Sequence, residues 1–389
     1  MKEIILKHLQ EAVGVPLGIE NSAKNLFDDL MKKFDDGDYN DNYIFKNTGG
    51  RYSFSDFDFD SINFSIELKP YNGDILQFGG FGFGERSEVG DTGRLEVDLS
   101  DELYLQAVIA VPRDFESLSV DDIVELFKSQ RPRIISVLAH ELKHAYDSFK
   151  KPHKTVIDTS KYQAYSGLRT GLEPIDELIF DLYYINAVES LVRPSEIYTL
   201  MKERKISRKD FLDFLQSTDT YKNLLKIRNF SYRKFREELK QYKDEIEDIV
   251  LSFDNVDELP DNFEETLDIF LKSVYTTIGG EIASYAQRMV TSGLGFLTIL
   301  TGIPENRIKI YDKIMKDISK YEENPIKYYE FLEKMFKFES MKAIKRLSKL
   351  YSLTTNDKVD TSIKDPISKE IAVNEVKLGL KTPKKLNNK

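Results

Sequence analysis

Two histidines and a glutamate lie close together in the segment ISVLAHELKHAYDSF, as His140, Glu141 and His144. Their pattern is H-E-x-x-H, which binds zinc when it lies on a helix. Residues four apart lie about 40° apart around a helix of about 3.6 residues per turn, so both imidazoles project from one face and can bind one metal ion. Glu141 flanks that face, where it is suited to take a proton from a water molecule that the metal polarises.

The pattern is specific because histidine is rare in this chain. There are 4 His among 389 residues, so a chance match is expected in roughly a few of a thousand such sequences. Cysteine is absent, which excludes disulfides, thiolate zinc sites, iron–sulfur clusters and a cysteine nucleophile. Any metal chemistry here depends on nitrogen and oxygen ligands. The alternative interpretation is a surface helix whose Glu141 and His144 face water.

A catalytic zinc ion needs a third protein ligand, and the chain after the motif must supply it. A histidine six residues after His144 would give the metzincin arrangement, but that position is Lys150. We predict Glu189, in the middle of a helix over about 174–193, as the third ligand. The opposing interpretation is an exposed helix acid paired with Arg193. The other candidate acids are Glu177, Glu173, Asp181 and, more distantly, Glu281.

The H-E-x-x-H segment resembles the active-site helix of the zincin metallopeptidases, over about residues 95–200 and specifically at the motif. In those enzymes a small sheet precedes the motif helix, and the apolar runs at 95–99 and 104–111 correspond to it. Because no histidine follows His153, the resemblance implies the gluzincin subgroup, in which a downstream helix supplies a glutamate. The stretch around Glu189 is similar to an E-x-x-A-R-like pattern of phage-encoded and bacterial H-E-x-x-H proteins, with Val192 in place of alanine.

The resemblance implies a zinc metallopeptidase that binds Zn²⁺ through His140, His144 and Glu189. Glu141 is then the general base, which passes its proton on to the leaving amine. Tyr184 is the predicted donor to the oxyanion, although a core role is open for any single tyrosine. The remaining candidates are Tyr165 and Tyr183 as oxyanion donors, Asp147 as acceptor for a ligand imidazole, and His153 as an auxiliary residue.

Two other kinds of protein are compatible with these residues. One is a structural or virion-associated protein that keeps the zinc site for stability without catalysis. The other is a non-haem Fe(II) protein, since two histidines and one carboxylate also describe its facial triad. A helical H-E-x-x-H pattern favours zinc over iron.

The elements that position these residues form an α+β protein. Residues 1–36 show helical spacing, and 51–112 alternate apolar and polar residues as a small, mainly antiparallel sheet does. After Pro112 nearly everything is helical, except a polar, irregular stretch at 150–170 and a helix restart at Pro194. The predicted domains are an N-terminal helical segment (1–50), a zincin-like core (51–205), a helical C-terminal domain (206–352) and a basic, disordered tail (353–389).

Composition limits the partners of this protein. Its net charge of −10 argues against binding nucleic acid, and the expected partner is a peptide or protein substrate. Its start lacks the apolar stretch of a signal peptide, and no run of about 18 apolar residues could span a membrane. We therefore expect a cytosolic protein and no membrane association, with the oligomeric state open. Abundant Lys, Ile, Asn and Asp fit an AT-rich genome, such as that of a phage.

Overall fold

The computed structural model describes residues 10, 13–40, 52–54, 57–59, 62–84, 87–89, 95–97, 103–114, 118–150, 156–254, 256–291, 302–354 and 377–379. Over these residues the chain has the predicted α+β fold, with a small sheet followed by an extensive helical region. The predicted tail lies almost wholly outside the described residues, as does His153.

A three-stranded sheet with the strand order β3-β7-β4 forms the β part of the fold, flanked by the two-stranded pairs β1-β2 and β5-β6. The strands are β1 (Tyr52–Phe54), β2 (Phe57–Phe59), β3 (Ile62–Tyr71), β4 (Gln77–Gly84), β5 (Ser87–Val89), β6 (Leu95–Val97) and β7 (Leu103–Pro112). Strand β7 lies at the centre of this sheet because every second residue along it is apolar. Those buried residues are Leu105, Ala107, Ile109 and Val111.

The pairing within this sheet differs in one respect from the mainly antiparallel prediction. Strand β4 pairs with β7 antiparallel, but β3 pairs with β7 parallel, with Ile62 opposite Leu103 and Tyr71 opposite Pro112. The apolar strand β7 lies between β3 and β4, so these sequence neighbours do not form a hairpin. Alternating hydrophobicity shows which face of a strand is buried but not which strand lies beside it.

Among the described residues, six helices belong to the part of the fold that carries the sheet and the motif, and the later helices form the helical C-terminal region. The first group is α1 (Ile19–Asp36), α2 (Val120–Ser129), α3 (Arg131–Lys150), α4 (Val156–Gly167), α5 (Glu173–Ile185) and α6 (Ala187–Glu203). The second is α7 (Phe211–Ser217), α8 (Asp219–Arg228), α9 (Tyr232–Leu239), α10 (Lys243–Leu251), α11 (Phe263–Thr291), α12 (Glu305–Ser319) and α13 (Ile326–Ser348). Short 3₁₀ turns follow α9 (Lys240–Tyr242) and α13 (Lys349–Leu353).

Helix α3, which carries the H-E-x-x-H motif, lies in the interior of the fold. It packs against α1, α6 and β4, and residues on all of its faces from Ile134 to Ala145 are buried or half-buried. A helix that is covered on every side is a central element rather than a surface one. The interpretation of the motif as part of a water-exposed helix is therefore wrong.

Three helix assignments differ from the predictions. The stretch 150–170, predicted to be irregular, contains α4, whose buried face includes Thr159 and Ser160 and so lacks a strong apolar stripe. The predicted helix over 174–193 is two helices that meet at Asn186, whose side chain accepts a hydrogen bond from the Val188 amide. Asn is a favoured helix N-cap. Pro194 lies inside α6 instead of starting a new helix.

Within the described part of the chain, no helix combines the length and the apolar character that crossing a membrane requires.

Candidate metal centre

Three side chains suited to binding a metal converge between α3 and α6. His140 and His144 come from α3, and Glu189 comes from the first turn of α6. Each is buried, with between 2% and 9% of its surface exposed. Among the described residues, they form a group whose potential ligand atoms all lie within 4.8 Å of one another.

The distances between these atoms fit a tetrahedral metal ion. The Nε2 atoms of His140 and His144 lie 3.2 Å apart. His140 Nε2 lies 3.3 Å from Oε2 of Glu189, and His144 Nε2 lies 3.3 Å from Oε1. Zinc bonds of about 2.0–2.1 Å separate neighbouring ligand atoms of a tetrahedron by about 3.3 Å. The three side chains are therefore close enough together to bind one metal ion.

Hydrogen bonds orient both oxygens of Glu189. The Tyr183 hydroxyl donates to Oε1 at 2.9 Å, and the Arg193 guanidinium donates to Oε2 at 3.1 Å. Glu189 is thus paired with Arg193, as the opposing interpretation expected, but the pair is buried rather than exposed. The carboxylate is held in place before any metal binds.

The side chain of Glu196 orients one of the two histidines. Its Oε2 accepts a hydrogen bond from His140 Nδ1 at 3.1 Å, which leaves His140 Nε2 directed at His144 and Glu189. Carboxylate acceptors of this kind fix the orientation of metal-binding imidazoles. The sequence analysis did not select Glu196, although it follows Glu189 by seven residues and so lies on the same helix face two turns later.

The charges at this centre are strongly coupled. Burial favours the protonated form of Glu189, but His140 and His144 hold the pKa of its carboxyl well below the usual value. Burial also lowers the pKa of His140, but the carboxylates of Glu189, Glu196 and Glu141 together raise it to about 10. Without a metal, His140 is therefore charged at neutral pH. A metal ion that binds its Nε2 must displace this proton.

Glu141 follows His140 directly but does not belong to the cluster of His140, His144 and Glu189. It is buried, and its charge helps to raise the pKa of His140 and of Tyr162. Glu141 is therefore close enough to His140 and Tyr162 for its charge to act on both.

Two tyrosine hydroxyls lie next to the centre. The rings of Tyr162 and Tyr183 are 5.2 Å apart between centroids, and the Tyr162 ring lies 6.3 Å from that of His144. Burial and the charge of Glu189 raise the pKa of both phenols, so both remain donors at neutral pH. Tyr162 belongs to α4, the helix that the sequence did not reveal, and no motif pointed to it.

The other two predicted tyrosines lie elsewhere. The ring of Tyr184 packs 3.4 Å from the Arg193 guanidinium, and its hydroxyl interacts with Thr220 and Asn223 of α8. Tyr165 is hydrogen-bonded to Tyr328 of α13. Of the predicted oxyanion donors, Tyr183 is therefore the one beside the cluster of His140, His144 and Glu189, and the ring of Tyr184 packs on Arg193 instead.

The remaining candidate acids have other partners. Asp147 forms an ion pair with Lys143 on α3, and Glu196 has the place beside a ligand histidine that Asp147 was predicted to take. Glu177 pairs with Lys226 at 2.8 Å, and Glu173 accepts a hydrogen bond from the Tyr242 hydroxyl at 3.2 Å. Asp181 is buried beside Lys226, and Glu281 is exposed on α11.

The Glu196→Gln substitution should weaken zinc binding. It removes the charge that polarises His140 and leaves a similar shape, so we expect the affinity for Zn²⁺ to fall by about tenfold, at the lower end of the range for such residues. Competition with a chromophoric chelator measures this. The matched control is Glu177→Gln, which alters an exposed ion pair and should leave the affinity unchanged. Equal affinities in both variants would show that Glu196 does not act on the ligand.

Comparisons with protein-family models, curated proteins and solved structures found no match to this chain. Its function is therefore inferred from the geometry of the site and from the H-E-x-x-H motif.

Proposed function

We propose that this protein is a zinc-dependent metallopeptidase in which His140, His144 and Glu189 bind Zn²⁺. The observation that carries the proposal is the spacing of their ligand atoms, which are 3.2 to 3.3 Å apart and belong to buried residues. A buried cluster of two imidazoles and a carboxylate at tetrahedral spacing is the ligand set of catalytic zinc sites with one open position.

The residues around the ligands have the roles that peptide hydrolysis needs. A zinc ion held by His140, His144 and Glu189 would supply Lewis-acid chemistry to the reaction. The Glu141 carboxylate would take a proton from the attacking water, whose oxygen adds to the carbonyl carbon. Glu141 then gives the proton to the nitrogen as the carbon–nitrogen bond breaks. The products are a carboxylic acid and an amine.

The hydroxyls of Tyr162 and Tyr183 are the best-placed donors to the oxyanion that forms. Both are protonated, since burial and the nearby carboxylate disfavour the phenolate. Tyr183 donates to Glu189, and Tyr162 hydrogen-bonds both Tyr183 and Glu189, so the two hydroxyls form one donor pair beside the carboxylate. We assign this pair the role of oxyanion donor in place of Tyr184, whose ring packs on Arg193.

Metal content, measured by mass spectrometry on protein without an affinity-tag histidine run, tests the proposal. We expect about one zinc per chain in the wild type and none in His144→Ala or Glu189→Ala, because each variant removes one of three ligands. Glu177→Ala is the control and should retain the zinc. Iron in place of zinc would instead support the facial-triad alternative. A wild type that binds no added zinc would refute the proposal.

A further inference from the structure

Helix α6 contains a proline one turn after the proposed ligand Glu189. Proline has no amide hydrogen, and its ring pushes away the carbonyl four residues earlier. For Pro194 that carbonyl belongs to Ser190, the residue next to Glu189. The helix therefore lacks the backbone hydrogen bond that would join residue 190 to residue 194.

An arginine from the C-terminal region takes the place of this missing donor. Arg346 of α13 donates a hydrogen bond from Nη1 to the Ser190 carbonyl at 2.9 Å. Burial lowers the pKa of Arg346, which shows that its charge is poorly solvated there. A guanidinium in such a place is stabilised by a carbonyl acceptor that has lost its backbone donor at residue 194.

Hydrogen bonds of Asn186 also fix the other end of this helical turn, before Glu189. The Asn186 side chain accepts a hydrogen bond from the Val188 amide at 2.9 Å and donates one to the Asp158 carbonyl in α4 at 3.3 Å. Asn186 thus fixes the start of the turn, and Arg346 fixes its end. Glu189 lies between these two contacts.

We propose that Arg346 is a positioning residue for the metal ligand Glu189, supplying from α13 the hydrogen bond that Pro194 removes from α6. This inference rests on the proposed metal site. It gives the helical C-terminal region a function: α13, 156 residues away in the chain, holds the turn that brings Glu189 to the two histidines. The proline removes the donor at residue 194 from the Ser190 carbonyl, and Arg346 donates to that carbonyl from α13.

The test is the Zn²⁺ affinity of the full chain, measured by competition with a chromophoric chelator. We expect Arg346→Ala to lower the affinity by about tenfold, as residues that orient a ligand typically do. Arg346→Lys should recover part of the loss, because lysine also donates from a long side chain. Adding Pro194→Ala to Arg346→Ala should return the affinity to near the wild-type value, since the amide at position 194 can then bond the Ser190 carbonyl.

Lys342→Ala is the matched control. Lys342 lies one turn before Arg346 on α13 and forms an ion pair with Glu339 at 3.2 Å. Replacing Lys342 should therefore leave the affinity for zinc unchanged. A lower melting temperature of Arg346→Ala with unchanged zinc affinity would show a merely structural role and overturn the proposal. Failure of Pro194→Ala to restore the affinity would overturn it as well.

Amide hydrogen exchange of the zinc-free protein separates this proposal from that of the metallopeptidase. Arg346→Ala should accelerate exchange in residues 187–193 relative to Lys342→Ala, and Pro194→Ala should reverse the change. Equal exchange in both variants would refute the anchoring of the turn, whatever the protein binds. A wild type that binds no zinc would refute the metal site and the ligand role of Glu189, even where exchange shows that Arg346 holds the turn.

Discussion

Glu141→Gln should abolish most peptide hydrolysis and leave the zinc in place. A positioned general base contributes about 10²–10⁴-fold to the rate, and glutamine has the size of glutamate but cannot take up a proton. Because Glu141 does not belong to the His140, His144 and Glu189 group, the variant should retain about one zinc per chain. The rate is measured on a mixture of fluorogenic peptides of random sequence, and the zinc content on the same preparation.

The control for this prediction is Glu177→Gln, whose carboxylate forms an ion pair with Lys226 at the surface. It should retain both zinc and wild-type hydrolysis. Hydrolysis that persists in Glu141→Gln would exclude Glu141 as the base. A wild type that holds zinc and cleaves no peptide would favour the structural or virion-associated alternative.

The part of the site that the sequence made predictable depends on helix geometry. The four-residue spacing of His140 and His144 determines that they share a helix face wherever the helix lies. Glu189 is predicted from the zincin resemblance, in which a downstream helix supplies a glutamate, and Arg193 stands at the spacing of a helical pair. The local period therefore predicts the two histidines, and the resemblance is needed for the glutamate.

The residues that the sequence did not reveal depend on tertiary contacts. Tyr162 lies on α4, whose buried Thr159 and Ser160 hide the helical period. The parallel pairing of β3 with β7 joins strands that are distant in sequence, and period-two patterns carry no information about partners. Glu196 and the break at Asn186 do have local signals, which are the seven-residue spacing from Glu189 and the helix N-cap residue.

Arg193 balances the negative charge of the centre. Its guanidinium lies 3.1 Å from Glu189 and 3.7 Å from Glu196, and Tyr184 covers its face. With Glu141 the centre holds three carboxylates, so Arg193 leaves two negative charges, which a divalent cation neutralises. In the absence of a metal, the proton on His140 supplies part of this compensation.

Arg193→Ala should therefore destabilise the zinc-free protein by about 3–5 kcal/mol, the usual effect of removing one partner of a buried ion pair. Zinc should reduce this loss, because its charge lies against the same carboxylates and binding stabilises the folded state. Urea unfolding with and without zinc measures both values. The control Arg131→Ala breaks an exposed ion pair with Asp28, whose atoms are also 3.1 Å apart. It should lower the free energy of unfolding by at most about 1 kcal/mol. An equal loss for Arg193→Ala with and without zinc would mean that the arginine stabilises packing alone, and that the charge of the centre is not matched to a metal.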